Sequence, residues 1–185
     1  MPLKTVVKVG NISNLSDARY CSGMGVDMLG FCVIEGQPHY ISPKLFQEIR
    51  GWISGPKVVA QVYGLQSEDE LQSIIKNYLP DYLELSAKEY ERYHSILTLP
   101  CIVEISDKHV PSFEAKSPAY VIVSDVAQLN QDTPPALLKV DSGEDLLKTL
   151  ESSQLKGVVL NGSPEIRPGF KDYGTLADIL ELLDE

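Results

Sequence analysis

An α/β fold built on a parallel sheet is what this sequence predicts, and three observations carry that expectation. Short β-branched runs alternate with helix-length stretches along the chain, the pattern of successive βα units. These units recur at roughly one per 20 to 25 residues, too tightly for an inserted second domain. The composition, 43% apolar and 23% charged over 185 residues, is that of a globular chain with enough apolar side chain for one core. A single domain over residues 1–185 is therefore expected.

The elements follow in order. Lys4 to Val9 (KTVVKV) is the first strand. Leu15 to Gly25 reads as a helix, with Asn14 as N-cap three residues before Asp17 and Gly25 as the stop. Met28 to Val33 (MLGFCV) is the second strand, and Ser42-Pro43 opens a helix to about Ile53 with Ser as cap and Pro in the first turn. Lys57 to Tyr63 (KVVAQVY) is the third strand. Ser67 heads a helix over Glu68 to Tyr78, with Glu70 completing a capping box. Tyr82 to Leu85 is a fourth strand and precedes a helix near Ala87 to Tyr93. Cys101 to Ile105, Tyr120 to Val123, Ala136 to Val140 and Gly157 to Leu160 supply four more strands, and a last helix runs from about Tyr173 to Leu183.

Eight strands of this kind fit a closed barrel or an open doubly wound sheet. No G-x-G-x-x-G turn follows the first strand, which disfavours the dinucleotide-binding open sheet. A compact (β/α)8 TIM barrel is the expected architecture. Barrels ordinarily need about 200 residues or more, so some helices should be shortened or missing. Asp107 to Pro118 and Asp125 to Pro135 are too proline-rich and polar for full helices.

Charge narrows the function classes. Sixteen Lys plus Arg against 26 Asp plus Glu give a net charge of −10, and the pI is near 4.7. Such a surface repels nucleic-acid phosphates and anionic membranes, so neither is an expected partner. A small phosphorylated or anionic metabolite remains compatible, because a few backbone N–H groups can hold one phosphate locally. No apolar run approaches a membrane span, and residues 1–10 lack the apolar stretch of a signal peptide. Three cysteines (Cys21, Cys32, Cys101) without metal-ligand spacing point to a cytoplasmic protein with reduced core thiols, no metal and no cofactor.

In a barrel, chemistry sits at the C-terminal strand ends, and these are readable. VKVGNISNLSDA, GVDMLGFCV, VVAQVYG, QPHYIS and GVVLNGSPEIRPGFKD resemble the phosphoribosylanthranilate isomerase family of tryptophan biosynthesis. That family opens V-K-I-C-G-I-T, continues through S-P-R-Y-V-S and closes with P-G-V-K-D. The resemblance covers both ends of the chain in the right order and is weak from about Leu85 to Lys156. It implies an Amadori rearrangement of an aminoaldose to an aminoketose, which needs a general base and a general acid.

Residue by residue, the resemblance implies a degenerate site. The family's catalytic Cys falls on Gly10, and neither Asn11 nor Ser13 ionises near neutral pH to replace it. The acid that ends strand 6 falls near Asp125, one residue out of register, with Ser124 at the family position; Asp125 also reads as an ordinary cap. The carboxylate-binding Arg falls on His39, which cannot form a bidentate fork. Of the family's glycine-rich phosphate runs only Asn161-Gly162-Ser163 keeps a small, donor-rich character. Lys8, on the neighbouring strand of a closed barrel, is the positive charge expected beside it. The expected function is an isomerase-like protein without standard isomerase activity that binds a small anionic or phosphorylated metabolite. The alternatives are a working isomerase with relocated groups (Asp125 as acid, His39 or Asp141 as base) and a non-catalytic scaffold for a protein partner.

Overall fold

The computed structural model describes residues 3–106, 109–113, 117–141, 146, 155–162, 165–167, 170–171 and 174–184. Eight parallel strands close into a barrel in chain order: β1 (Val6–Gly10), β2 (Met28–Cys32), β3 (Lys57–Gln61), β4 (Tyr82–Ser86), β5 (Cys101–Glu104), β6 (Tyr120–Val123), β7 (Ala136–Lys139) and β8 (Leu155–Asn161). Closure is made by β8 lying parallel to β1, with Val6 opposite Gly157, Lys8 opposite Val159 and Gly10 opposite Asn161. Closed parallel pairing leaves no free edge, so every strand has two hydrogen-bonded neighbours.

The helices start where side-chain caps dictate. Asn14 accepts from the Asp17 N–H to open α1 (Leu15–Gly23), and the chain leaves it through Gly25 at φ +78, a conformation that glycine adopts without steric cost. Ser42 and Pro43 open α2 (Pro43–Arg50), which ends before the expected Ile53. Ser67 caps α3 (Glu68–Tyr78) through the Glu70 N–H. The Glu70 carboxylate accepts from Gln66 N–H rather than from Ser67, so only half of the expected box forms. A complete box occurs instead at Ser86–Glu89, where α4 (Ala87–Tyr93) begins. The last helix, α5, covers Gly174–Asp184; the expected start at Tyr173 lies outside the described residues.

Between β5 and β6 the described residues contain no helix, only an isolated bridge between Ser106 and His109. Between β6 and β7 there is one 3-10 turn, Val126–Gln128. Proline and polar content in both segments removes the periodic apolar face that a packed helix needs. An antiparallel hairpin of β9 (Glu165–Arg167) and β10 (Phe170–Lys171), unforeseen in the sequence, follows β8.

Strand residues alternate between two cores with period 2. Val7, Val9, Leu29, Phe31, Val58, Leu83, Val103, Val121 and Leu138 face outward into the main core shared with the helices. Met28, Val59, Ile102, Ile122, Leu137 and Val159 form a separate apolar cluster inside the barrel. Cys21, Cys32 and Cys101 are buried, and burial pushes the Cys32 thiol up. No helix among the described residues is long and apolar enough to cross a membrane.

The closing seam is the most sterically demanding contact. A Cβ on Gly157 would lie 1.9 Å from the Val6 carbonyl oxygen, a backbone atom that yields only if β1 and β8 separate. Gly157→Ala should therefore cost about 3 kcal/mol or more. Denaturant unfolding checks this: the midpoint should fall at unchanged slope, and a midpoint equal to wild type would contradict it.

Candidate functional site

The same alternation places Lys8, Gln61, Glu84, Glu104, Lys139 and Asn161, on six of the eight strands, above the apolar cluster at the C-terminal mouth. Lys8 on β1 and Glu84 on β4 are buried, and Lys8 Nζ lies 2.6 Å from Glu84 Oε2. The two meet as an ion pair without aligned hydrogen-bond geometry. Removing such charges from water costs several kcal/mol per ion, so the pair persists only with further polar support.

That support is present. Gln61 Nε2 donates to Glu84 Oε1 at 2.9 Å, and Gln61 Oε1 accepts from the Asn11 N–H at 3.0 Å. Asn11 sits at φ +56, a left-handed conformation that asparagine tolerates better than most residues. Its Nδ2 donates to Asn161 Oδ1 at 3.2 Å. The Tyr63 hydroxyl donates towards Glu84 Oε1 (2.8 Å) and Glu104 Oε2 (2.7 Å), sharing one proton between two carboxylates. Burial first, then the charges of Glu84 and Glu104, push the Tyr63 phenol well up. The other Glu104 oxygen meets Lys139 Nζ of β7.

The result is a continuous chain, Lys8–Glu84–Tyr63–Glu104–Lys139, running from the buried side of the mouth to its solvent side. Its ends differ in depth. The Lys8 and Glu84 side chains are 0% and 3% exposed, whereas Glu104 and Lys139 are 31% and 40% exposed. A pair that solvent reaches contributes only about 0–1 kcal/mol, so the outer pair separates easily and the inner pair does not.

The expected site residues are placed as follows. Lys8 is at the mouth, but its ammonium is held by Glu84. Asn161 is exposed at the end of β8 and bonded to Asn11. The Gly162 N–H donates to the Gly10 carbonyl at 2.8 Å, so this donor is committed to the backbone. Ser163 lies outside the described residues, as do Gly143 and Glu144. Asp125 is exposed and caps the Val126–Gln128 turn by accepting from the Ala127 N–H at 2.8 Å, with Gln128 reaching back to the Asp125 N–H. His39 is exposed in the loop between β2 and α2 at φ +62. Asp141 is exposed just beyond β7.

Gln61, Tyr63, Glu84, Glu104 and Lys139 are not among the site residues expected from the sequence, several of which fall just past the strand ends. A signal for them exists: each is a lone polar residue flanked by apolar ones, as in VAQVY, YLELS, CIVEI and LLKV. In a barrel an isolated polar position inside an apolar strand must face the lumen or the core. Elsewhere, a cavity of about 430 Å³ lies at the N-terminal end of the barrel beside Val6, Asp27, Tyr82 and Tyr120. Another of about 490 Å³ lies beside Val110, Phe113 and Asn130 in the helix-poor sector. Neither touches the mouth chain.

Fold and mouth together define a (β/α)8-type barrel with reduced helices and a polar C-terminal mouth. No family-wide sequence pattern matches the chain. Individual proteins do. It is 24% identical over 200 residues to the N-(5'-phosphoribosyl)anthranilate isomerase of Maridesulfovibrio salexigens, across 95% of this chain and 96% of that protein. It is 22% identical over 104 residues to the isomerase of the same name from Xylella fastidiosa strain M12, across 56% of this chain and 47% of that one. In fold it is similar to phosphoribosylanthranilate isomerase from Thermotoga maritima, with a TM-score of 0.73 at 15% identity, over 96% and 97% of the two chains. The corresponding structure from Thermus thermophilus gives a TM-score of 0.71 at 16% identity, over 95% and 96%. The chain is thus similar to phosphoribosylanthranilate isomerases in sequence over nearly its whole length, and it shares their fold.

Two outcomes follow from the mouth chain. Glu84→Leu alone leaves the Lys8 ammonium buried without its counter-charge and should cost about 3–5 kcal/mol, whereas Lys8→Met with Glu84→Leu should recover most of that loss. Denaturant unfolding of single and double variants checks it, and equal losses in the two would be contrary evidence. The Tyr63 phenol has its folded pKa raised above the ordinary 10.0. Its contribution is therefore complete below that pH and is lost as pH rises past it. Tyr63→Phe should cost about 1.5–3 kcal/mol near neutral pH and give a shallower alkaline decline, read from melting temperatures across the alkaline range. An unchanged slope would count against the assignment.

Proposed function

We propose that this barrel does not carry out the Amadori rearrangement named by its relatives and instead binds a small metabolite through an anionic group at its mouth. The observation that carries this reading is the surroundings of Gly10. A Cβ there would stand 3.1 Å from Gln61 Nε2 and 3.3 Å from Lys8 Nζ. The space that a thiol would use is taken by the amide and ammonium that serve Glu84, and no ionisable side chain stands at that position. His39 offers one imidazole where a bidentate fork would be needed, and Asp125 has a carboxylate oxygen engaged as a cap. Lys8 is closed in by Glu84 and the Gly162 N–H is taken by the Gly10 carbonyl, so the half-exposed Lys139 is the ammonium against which an anionic group would rest, with the Asn11 and Asn161 amides across the mouth.

The purified protein should show no turnover of phosphoribosylanthranilate above background, since losing a general base alone costs about 10²- to 10⁴-fold in rate. Its gene should not rescue a tryptophan auxotroph lacking this isomerase. Gly10→Cys should restore neither. Turnover near one per second or faster, a rate in the ordinary enzymatic range of about 1–10³ per second, or growth of the auxotroph, would refute the proposal.

A further inference from the structure

We infer that the metabolite is a small zwitterion carrying an ammonium and a carboxylate a carbon or two apart, the ammonium received by Glu104 and the carboxylate by Lys139. This rests on the mouth being the ligand site and names the chemical class that the site takes. The two receiving groups reach the lumen from β5 and β7, across β6 with its inward Ile122. They are the half-exposed end of the mouth chain, while Lys8 and Glu84 below them are closed to solvent. A ligand can therefore exchange with the outer pair without opening the inner one.

Geometry distinguishes the two receivers. Glu104 is fixed by Tyr63 at 2.7 Å and presents its other oxygen to the mouth. Lys139 holds that oxygen on a flexible four-carbon arm and can swing aside to a carboxylate while an ammonium takes its place. One internal ion pair is then replaced by two, with the number of charges on the protein unchanged.

Charge selects against the alternative. Lys8 and Lys139 cancel Glu84 and Glu104, so the chain is neutral as a unit. Asp125 and Asp141, both exposed just past β6 and β7, make the rim acidic. A phosphate dianion would add two negative charges to that rim, whereas a zwitterion adds none. Across the mouth the paired amides of Asn11 and Asn161 offer polar atoms to the rest of the ligand.

The test is a titration of the ¹⁵N-labelled protein with four probes, L-alanine, acetate, methylammonium and inorganic phosphate, followed by amide shifts. L-alanine should saturate in the millimolar range with shifts centred on Tyr63, Glu104 and Lys139, and acetate and methylammonium should bind at least roughly tenfold more weakly. Glu104→Gln and Lys139→Met should each weaken L-alanine by a similar factor, and the exchanged pair Glu104→Lys with Lys139→Glu should regain it with the ligand reversed. Equal responses to acetate and L-alanine, or a charge exchange that regains nothing, would overturn the zwitterion. A mouth response to phosphate alone would overturn it while sustaining a ligand site, and silence towards all four probes would remove both.

Discussion

The buried pair of Lys8 and Glu84 is the contact around which the upper half of the barrel is arranged. Two charges inside a lumen otherwise lined by Met28, Val59, Ile102, Ile122, Leu137 and Val159 are costly unless each polar atom finds a partner. Neighbouring choices follow from that requirement. Gln61 fits beneath because Gly30 has no side chain; a Cβ there would stand 3.0 Å from Gln61 Cδ and 3.2 Å from Gly10 Cα. Gly10 is bare for the same reason, and Asn11 takes a left-handed backbone so that its N–H meets the Gln61 carbonyl oxygen. What looks in the sequence like a missing catalytic side chain is, in the structure, the space that a polar lattice occupies.

The barrel thus separates two demands. Closure and packing depend on outward-facing and lower inward-facing apolar positions, which tolerate wide sequence change provided size and alternation are kept. The mouth depends on a handful of inward residues, and its chemistry can be replaced without touching the scaffold. Fold likeness at 13–16% identity to several solved isomerases belongs to the first demand and says nothing of the second.

Legibility in the sequence follows the same division. The eight strands could be read because β-branched runs bounded by caps and glycines are local signals, and α3 because Ser67 precedes good helix formers. The shortened connections were legible as prolines. The hairpin of β9 and β10 was not, because strands of three and two residues carry no periodicity. Lys8 and Asn161 were found at the mouth, but their partners depend on register across strands separated by 20 to 150 residues. Glu84 and Glu104 come together through Tyr63 only once β3, β4 and β5 lie side by side. The apolar flanks of Glu104 mark its position, but nothing local tells that Tyr63 and Lys139 will be its partners.

The seam between β1 and β8 also sets a timetable for biosynthesis. Val6 pairs with Gly157, and the Lys4 N–H reaches the Leu183 carbonyl at 3.1 Å, so the first strand of the barrel waits for its last. Until then β1 has only β2 beside it and an unpaired edge on the other side, the kind of surface that recruits foreign strands. The lysine at its centre is then a safeguard: a charged residue on an open edge discourages association, and the same ammonium becomes an interior group only when the barrel shuts.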